Sequence, residues 1–154
     1  MKLNLKPTHK VVKDYYSALS QLGQLDMYDE GNVAPAFASV LRYCARQFDW
    51  TLVEQYPLQR KTRLIRPDGA LVDQFKLLHG FWEAKDTKDD LETEVKKKFQ
   101  LGYPKDNILF QAPDRAIIYQ HGQLQINEPI TRPEYLIDVL DLFFFYRPPE
   151  HERW

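Results

Sequence analysis

The sequence predicts an α/β (α+β) fold in which helices flank a central mixed β-sheet. Apolar residues recur at helical spacing near the start, in the middle and near the end of the chain. Short runs typical of strands fill the two intervals, so the order is helix, strands, helix, strands, helix, which suits a sheet covered by helices. The length of 154 residues and the hydrophobic share of 44% suit one core, and we expect residues 1–154 to form a single domain.

The first half of the chain contains two predicted helices and the first strands. The apolar residues of 7–22 are spaced like one helix face, and a second helix is expected over residues 33–48 with Asn32 as its N-cap. Trp50 begins the first strand. Three further extended runs follow, over residues 61–65, 70–76 and 81–86.

The second half contains two more helices and the remaining strands. Asp89 or Asp90 is expected to cap a helix over residues 91–101, which Gly102 ends. Pro133 suits the first position of the last helix. The other predicted elements are strands over residues 107–111, 115–120 and 124–126, with a turn at 121–122 before the third, and the last helix extends to about residue 146.

The charge of the chain is balanced, with 21 basic and 22 acidic residues and a net charge of −1. This balance argues against tight non-specific binding of nucleic acid by the chain as a whole, because such binding depends on many cationic contacts to phosphates. Basic residues nevertheless cluster locally, at residues 60–63 and 96–98. A local basic surface is therefore compatible with the composition.

We expect a cytoplasmic location by default. No segment resembles a signal peptide, and no apolar run is long enough to span a membrane. Cys44 is the single cysteine, which excludes an intramolecular disulfide and a cysteine metal site.

The most informative segment is the run from Phe81 to Asp86. Glu83 and Lys85 are two residues apart, so on a strand they share one face, while Trp82 and Ala84 point to the other face and can be buried. One short strand therefore presents a carboxylate and an ammonium side by side.

A second carboxylate, Asp73, lies on the preceding extended run. Residues 77–80 suit the turn of a hairpin, and a turn centred there places Glu83 opposite Gln74, one residue from Asp73. Opposed residues in an antiparallel pair have Cβ atoms about 5 Å apart, and diagonal neighbours lie within about 8 Å. Asp73 and Glu83 would then be close enough to share one metal ion, although a slip of one residue would move Asp73 to the other face.

This set of residues suits a divalent metal beside a scissile phosphate. Mg²⁺ prefers oxygen ligands, usually one or two carboxylates with water and phosphate oxygens. We expect Asp73, Glu83 and the main-chain carbonyl of Ala84 to bind Mg²⁺, with Mn²⁺ able to substitute. Lys85 is expected to orient the metal-activated water or to stabilise negative charge on the phosphate. The catalytic residues would be Asp73, Glu83 and Lys85.

The pattern Asp73…Glu83-Ala84-Lys85 resembles the signature of the PD-(D/E)xK nuclease superfamily. Three blocks, at residues 66–69, 80–87 and 102–108, resemble the N-terminal nuclease region of large single-polypeptide, type I-like restriction–modification enzymes. The resemblance implies a restriction-endonuclease-like fold and a Mg²⁺-dependent endonuclease acting on double-stranded DNA. It also implies helicase and methyltransferase domains as partners, on the same or an associated polypeptide, with this chain as the N-terminal part of the longer protein.

The name of the superfamily refers to a Pro-Asp pair, and this pair suggests a second candidate for the first metal ligand. Pro67-Asp68 is such a pair, fifteen residues before Glu83, but Arg66-Pro67-Asp68-Gly69 is also typical of a turn. We favour Asp73 as the metal ligand and Asp68 as the turn former, and the alternative stays open because it depends on the strand register.

Two other functions remain open from the sequence. The domain could be a non-catalytic module of the same fold that docks to DNA or to a helicase, in which case Glu83 and Lys85 would form ordinary cross-strand pairs. RNA is a weaker alternative substrate, because the chain lacks a clear aromatic motif for stacking single-stranded bases.

Overall fold

The computed structural model describes residues 1–27, 29–86 and 90–148 of the chain. Within these residues, helices alternate with strands in the predicted order. The helices are α1 (Lys10–Gln24), α2 (Glu30–Arg46), α3 (Leu91–Gln100) and α4 (Pro133–Phe144). The strands are β1 (Thr51–Glu54), β2 (Leu58–Gln59), β3 (Leu64–Ile65), β4 (Gly69–Val72), β5 (Leu78–Ala84), β6 (Asn107–Ala112), β7 (Arg115–Gln120) and β8 (Gln123–Pro129).

A mixed six-stranded sheet forms the centre of the fold, which confirms the predicted class. Its strand order is β1-β4-β5-β6-β7-β8, and β2 pairs with β3 in a separate small hairpin. The β5–β6 pair is parallel and the other neighbours are antiparallel. A parallel pair needs a crossover connection, and α3 lies in the connection between β5 and β6.

The two faces of the sheet carry separate cores. One core joins α1, α2 and α4 to residues such as Trp82 and Leu109, and the other joins α3 to residues such as Phe81 and Phe110. The sheet is therefore covered on both faces, with α3 alone among the four helices on the second face. None of the helices in the described part of the chain has the length and hydropathy needed to cross a bilayer.

Two helices begin at other residues than the sequence predicts. In α1, a ring nitrogen of His9 accepts a hydrogen bond from the main-chain N–H of Val11 at 3.1 Å, so the helix is capped at His9 rather than starting at Pro7. In α2, Asp29 occupies the N-cap position, and Asn32 lies in the first turn and bonds to Asp29 instead of capping the helix. Asp90 is the residue before α3, and Asp89 lies outside the described residues.

The predicted hairpin of β4 and β5 is present, but its expected register is wrong. Val72 pairs with Leu78 and Gly69 with Trp82, so Gln74 does not face Glu83. The cause is the carboxylate of Asp73, which accepts hydrogen bonds from the main-chain N–H groups of Phe75 and Leu77 at 2.8 and 3.0 Å. These bonds stabilise a turn over residues 73–77 and end β4 at Val72.

Candidate active site

The signature residues lie at the carboxyl end of β5. Trp82 and Ala84 point into the core under α1 and α2, as predicted, and are buried. Glu83 and Lys85 face α3 and are also buried, with exposed fractions of 2% and 8%. Lys85 continues the parallel pairing, since its main-chain N–H donates to the carbonyl of Gln111 at 2.7 Å. Two charged side chains are thus held inside the protein, where an unpaired charge would be strongly unfavourable.

The acidic partner of Glu83 is Asp68, at the residue before β4. The main-chain N–H of Asp68 donates to Glu83 Oε1 at 2.7 Å, and the main-chain N–H of Ala84 donates to Asp68 Oδ2 at 2.8 Å. Gln55 adds a third contact, donating from Nε2 to Asp68 Oδ1 at 3.2 Å. These bonds join the first residues of β4 to the end of β5 and bring two carboxylates together.

Basic side chains from α3 and β5 surround this pair. Lys98 Nζ lies 3.3 Å from Glu83 Oε2 and 4.9 Å from the centre of the Tyr103 ring. Lys85 Nζ lies 3.6 Å from Glu94 Oε1, so Glu94 and Lys98, one helical turn apart, each contact one member of the signature. The predicted pair of Glu83 and Lys85 therefore belongs to a network with α3 and is not an exposed cross-strand pair.

The environment of Glu83 makes its carboxyl group harder to ionise than that of an ordinary glutamate. Burial, and then the negative charge of Asp68, raise the pKa of Glu83 to about 7, against the opposing effect of Lys98 and Lys85. A carboxyl group with a pKa so far above its ordinary value marks a place where a positive ion would be stabilising.

Glu30, the first residue of α2, approaches the same carboxylates. Burial, followed by repulsion from Asp68, raises the pKa of Glu30. Tyr103 is close as well, since burial and then the charges of Glu83 and Asp68 raise the pKa of its hydroxyl to about 12. Three acidic side chains and one protonated phenol therefore interact electrostatically at the end of β5.

Asp73 lies at the opposite end of the hairpin. Its Oδ2 atom pairs with Nε2 of His79 at 2.9 Å, and the His79 ring stacks on Trp50 with centroids 4.0 Å apart. The hydrogen bond from His79, together with those from Leu77 and Phe75, lowers the pKa of Asp73. Asp73 lies five positions after Asp68 in the sequence, a span on the order of 15 Å along a strand. The structure does not bring Asp73 to Glu83. The prediction that the two share a metal ion required them to be close, so the structure does not support it.

The donor set at Asp68 and Glu83 fits a hard divalent cation. Within residues 1–27, 29–86 and 90–148, no three histidine, cysteine or acidic side chains are arranged as metal ligands. Two carboxylates with a main-chain carbonyl, water and phosphate are nevertheless the usual surroundings of Mg²⁺ in proteins. A dication between Asp68 and Glu83 would also remove the repulsion that raises the pKa of Glu83.

Several residues of the site were missed or left aside by the sequence analysis. Glu30 was left aside as a possible further ligand because acidic residues in such places are usually exposed to solvent. It is more than fifty residues from the signature in sequence, and only the fold brings the two together. Lys98 could have been found, since it continues the buried stripe of Leu91 and Val95 at helical spacing, and a cation on an inward face needs a partner.

No protein-family model matches the sequence, and no similarity to a curated protein is found. By its fold the chain is an α/β domain with a mixed sheet, and its site holds the buried carboxyl group of Glu83 and the half-buried one of Asp68 beside two lysines. Among solved structures it is similar to part of DrdV, in a cryo-EM structure of the DrdV–DNA complex. The TM-score is 0.85 with 30% sequence identity over 91% of this chain, and the match covers 14% of the DrdV chain.

Proposed function

We propose that this domain is a metal-dependent DNA endonuclease of the PD-(D/E)xK type, with Asp68 and Glu83 as its metal ligands and Lys85 as its third catalytic residue. The observation that carries the proposal is the contact between Asp68 and the end of β5, next to Lys85. Two hydrogen bonds make this contact, one from Asp68 to Glu83 and one from Ala84 to Asp68. The similarity to a part of a protein solved in complex with DNA supports DNA as the substrate.

Each residue of the site has a role that its position can perform. Asp68 is held by Ala84 and Gln55, which orient its carboxylate toward Glu83. Asp68 and Glu83, with the main-chain carbonyl of Ala84, would hold Mg²⁺ or Mn²⁺. When bound, the metal would lower the pKa of a water ligand and neutralise negative charge on the phosphate.

The proposed role of Lys85 is to act on the water or on the phosphate. Its ammonium has three donors, and Glu94 at 3.6 Å can accept at most a weak bond from one of them. Lys85 would therefore orient the attacking water or stabilise the negative charge that develops on the phosphate oxygens. Lys98, paired with Glu83, would help to keep that carboxylate in place before the metal binds.

The proposed context is a restriction–modification system. The match to DrdV covers 14% of that chain, and sequence recognition by other parts of a longer polypeptide would explain how a domain of net charge −1 is directed to DNA. Helicase and methyltransferase domains are the proposed partners, and residues 1–154 the proposed nuclease domain.

The alternative function is a non-catalytic module of the same fold that docks to DNA or to a helicase. One observation favours it: Glu83 and Lys85 both have ion-pair partners on α3, as residues of a purely structural network would. The two functions differ in metal binding, because a structural network needs no cation.

The test is cleavage of supercoiled plasmid with Mg²⁺ or Mn²⁺, using the wild type and the Lys85→Met variant. The nuclease proposal predicts nicking or linearisation that requires the metal and falls by at least about a hundredfold in Lys85→Met. Calorimetric titration of Mn²⁺ into both proteins completes the test. Absence of both cleavage and metal binding in the folded wild type would support the non-catalytic module.

A further inference from the structure

A basic surface lies beside the carboxylates, on the small hairpin of β2 and β3. Residues 55–67 contain three arginines and one lysine and no acidic residue, in a chain where acidic residues slightly outnumber basic ones. The side chains of Arg60, Lys61 and Arg63 are exposed at the hairpin tip. We call the tip, residues 60–63, the basic tip.

The basic tip has a fixed conformation. The main-chain N–H of Arg60 donates to the carbonyl of Arg63 at 2.8 Å, which closes the turn. The side-chain amide of Gln59 donates to the carbonyl oxygens of Arg60 and Arg63 at 2.8 and 3.3 Å. Because the backbone is held in this way, a ligand that binds the three cations does not have to order the loop first.

The three cations also lack acidic partners nearby. Among residues 1–27, 29–86 and 90–148, no ion pair involves Arg60, Lys61 or Arg63. Elsewhere on this side of the domain, Lys85, Lys97 and Lys98 all contact carboxylates. The positive charge of the basic tip is therefore available to an external anion.

A groove connects the basic tip to the end of α3. The groove has a volume of about 530 Å³ and is lined by the tip and by residues 100–102. Gly102, with φ of 98°, allows the chain to turn beneath the side chain of Arg60. Lys98, which contacts Glu83, lies one helical turn before this groove, so the same helix borders both the groove and the carboxylates.

We propose that the basic tip and its groove bind the phosphate backbone of DNA beside the phosphate that is cleaved. Arginine forks suit phosphate oxygens, and because α3 borders both the groove and the carboxylates, one DNA strand would contact the basic tip and the proposed metal site together. The contacts would position the strand without recognising its sequence. This inference rests on the proposed function for the identity of the ligand.

The test is binding of a fluorescein-labelled DNA duplex of about 20 base pairs in EDTA, over a series of KCl concentrations. The variant replaces the three cations together (Arg60→Gln, Lys61→Gln, Arg63→Gln). The matched control removes the same charge from exposed lysines outside the basic tip (Lys2→Gln, Lys6→Gln, Lys13→Gln). Melting curves of both establish that each protein folds.

We expect the tip variant to bind at least about tenfold more weakly at low salt, with the slope of log K against log salt reduced in magnitude by about 2–3. The control should bind within about twofold of wild type. Equal losses in the two variants, or no loss in the tip variant, would overturn the assignment. Wild-type binding to polyglutamate as tight as to DNA would overturn it in favour of an acidic protein partner.

The same proteins separate this inference from the proposed function, because binding in EDTA requires no metal chemistry. A wild type that binds DNA through the basic tip but neither binds Mn²⁺ nor cleaves would overturn the nuclease proposal alone. If the wild type cleaves, and the tip variant binds and cleaves as well as the wild type, the DNA-binding role of the basic tip alone would be overturned.

Discussion

Asp68 has both a structural contact, through its main-chain N–H, and a carboxylate beside Glu83 that could bind a metal. Its main-chain N–H and its carboxylate both bond to the end of β5, so one residue ties two strands together and places an anion beside Glu83. The sequence analysis assigned the turn to Asp68 and the metal to Asp73. In the structure Asp73 stabilises the hairpin turn through Phe75 and Leu77, and Asp68 contacts the site.

Metal affinity should therefore distinguish Asp68 from Asp73. Asp68→Asn removes a charge next to Glu83, and we expect Mn²⁺ affinity measured by calorimetry to fall by more than about tenfold. Asp73→Asn should leave this affinity unchanged and lower the melting temperature, because it weakens the turn and the pair with His79. Loss of Mn²⁺ binding in Asp73→Asn alone would contradict this assignment.

The pKa of Glu83 predicts an unusual pH dependence of stability. An acid whose pKa is raised on folding, here from 4.5 to about 7, binds its proton more tightly in the folded state. Its effect on stability is therefore absent below about pH 4.5, becomes steadily more unfavourable as the pH rises from about 4.5 to 7, and levels off above pH 7 at about 3 kcal/mol.

Chemical denaturation of the metal-free domain at pH 5 and pH 8 measures this effect. Wild type should lose more stability between these values than Glu83→Gln, which keeps a hydrogen-bond acceptor and has no charge to desolvate. Saturating Mg²⁺ should restore stability to wild type at pH 8 and not to the variant. Parallel pH profiles for the two proteins would show that Glu83 titrates normally.

At the scale of elements, the sheet is joined to α4 by a close contact at Gly80 and a buried polar network. Asn107 Nδ2 donates to the carbonyl oxygens of His79 and Phe143, both at 2.9 Å, and Gln120 donates to Asn107 Oδ1 at 3.0 Å. A Cβ at Gly80 would lie 2.8 Å from the Phe143 ring and 2.9 Å from Asn107 Nδ2. The absence of a side chain at Gly80 is what allows β5 to pass beneath α4.

Gly80→Ala should destabilise the domain by about 2 kcal/mol, because the buried ring and the hydrogen-bonded amide cannot both move away. Gly31→Ala in α2 is the matched control, since its added Cβ meets no atom closer than 3.8 Å. We expect that control to be neutral or stabilising by up to about 1 kcal/mol, as is usual for alanine in a helix. Denaturant titrations of both variants provide the comparison, and equal destabilisation would contradict the packing argument.

The elements could be predicted well from the sequence, and the site less well, for one physical reason. Helix and strand periods depend on neighbouring residues. Such local patterns predict α3, β6 and β7, and they predict that Trp82 points into the core. The register of β4 on β5 depends on the turn, and that turn is determined by side-chain bonds of Asp73 that the pattern of apolar residues does not contain. This error of register is the reason that the sequence analysis favoured Asp73 over Asp68 as the neighbour of Glu83.

At the scale of the whole molecule, function depends on where the charges lie and little on their sum. The net charge is −1, yet the carboxyl groups of Asp68 and Glu83, two lysines and the basic tip lie on one side of β5 and α3. Such a domain would bind DNA weakly by itself and with strong dependence on salt. The proposed partner domains would supply the additional affinity and the sequence specificity.

The central claim is tested most directly by plasmid cleavage with Mn²⁺, comparing wild type, Asp68→Asn and Asp73→Asn in one assay. Our account predicts that wild type and Asp73→Asn nick the plasmid at similar rates and that Asp68→Asn is inactive. Cleavage retained in Asp68→Asn and lost in a folded Asp73→Asn would contradict it.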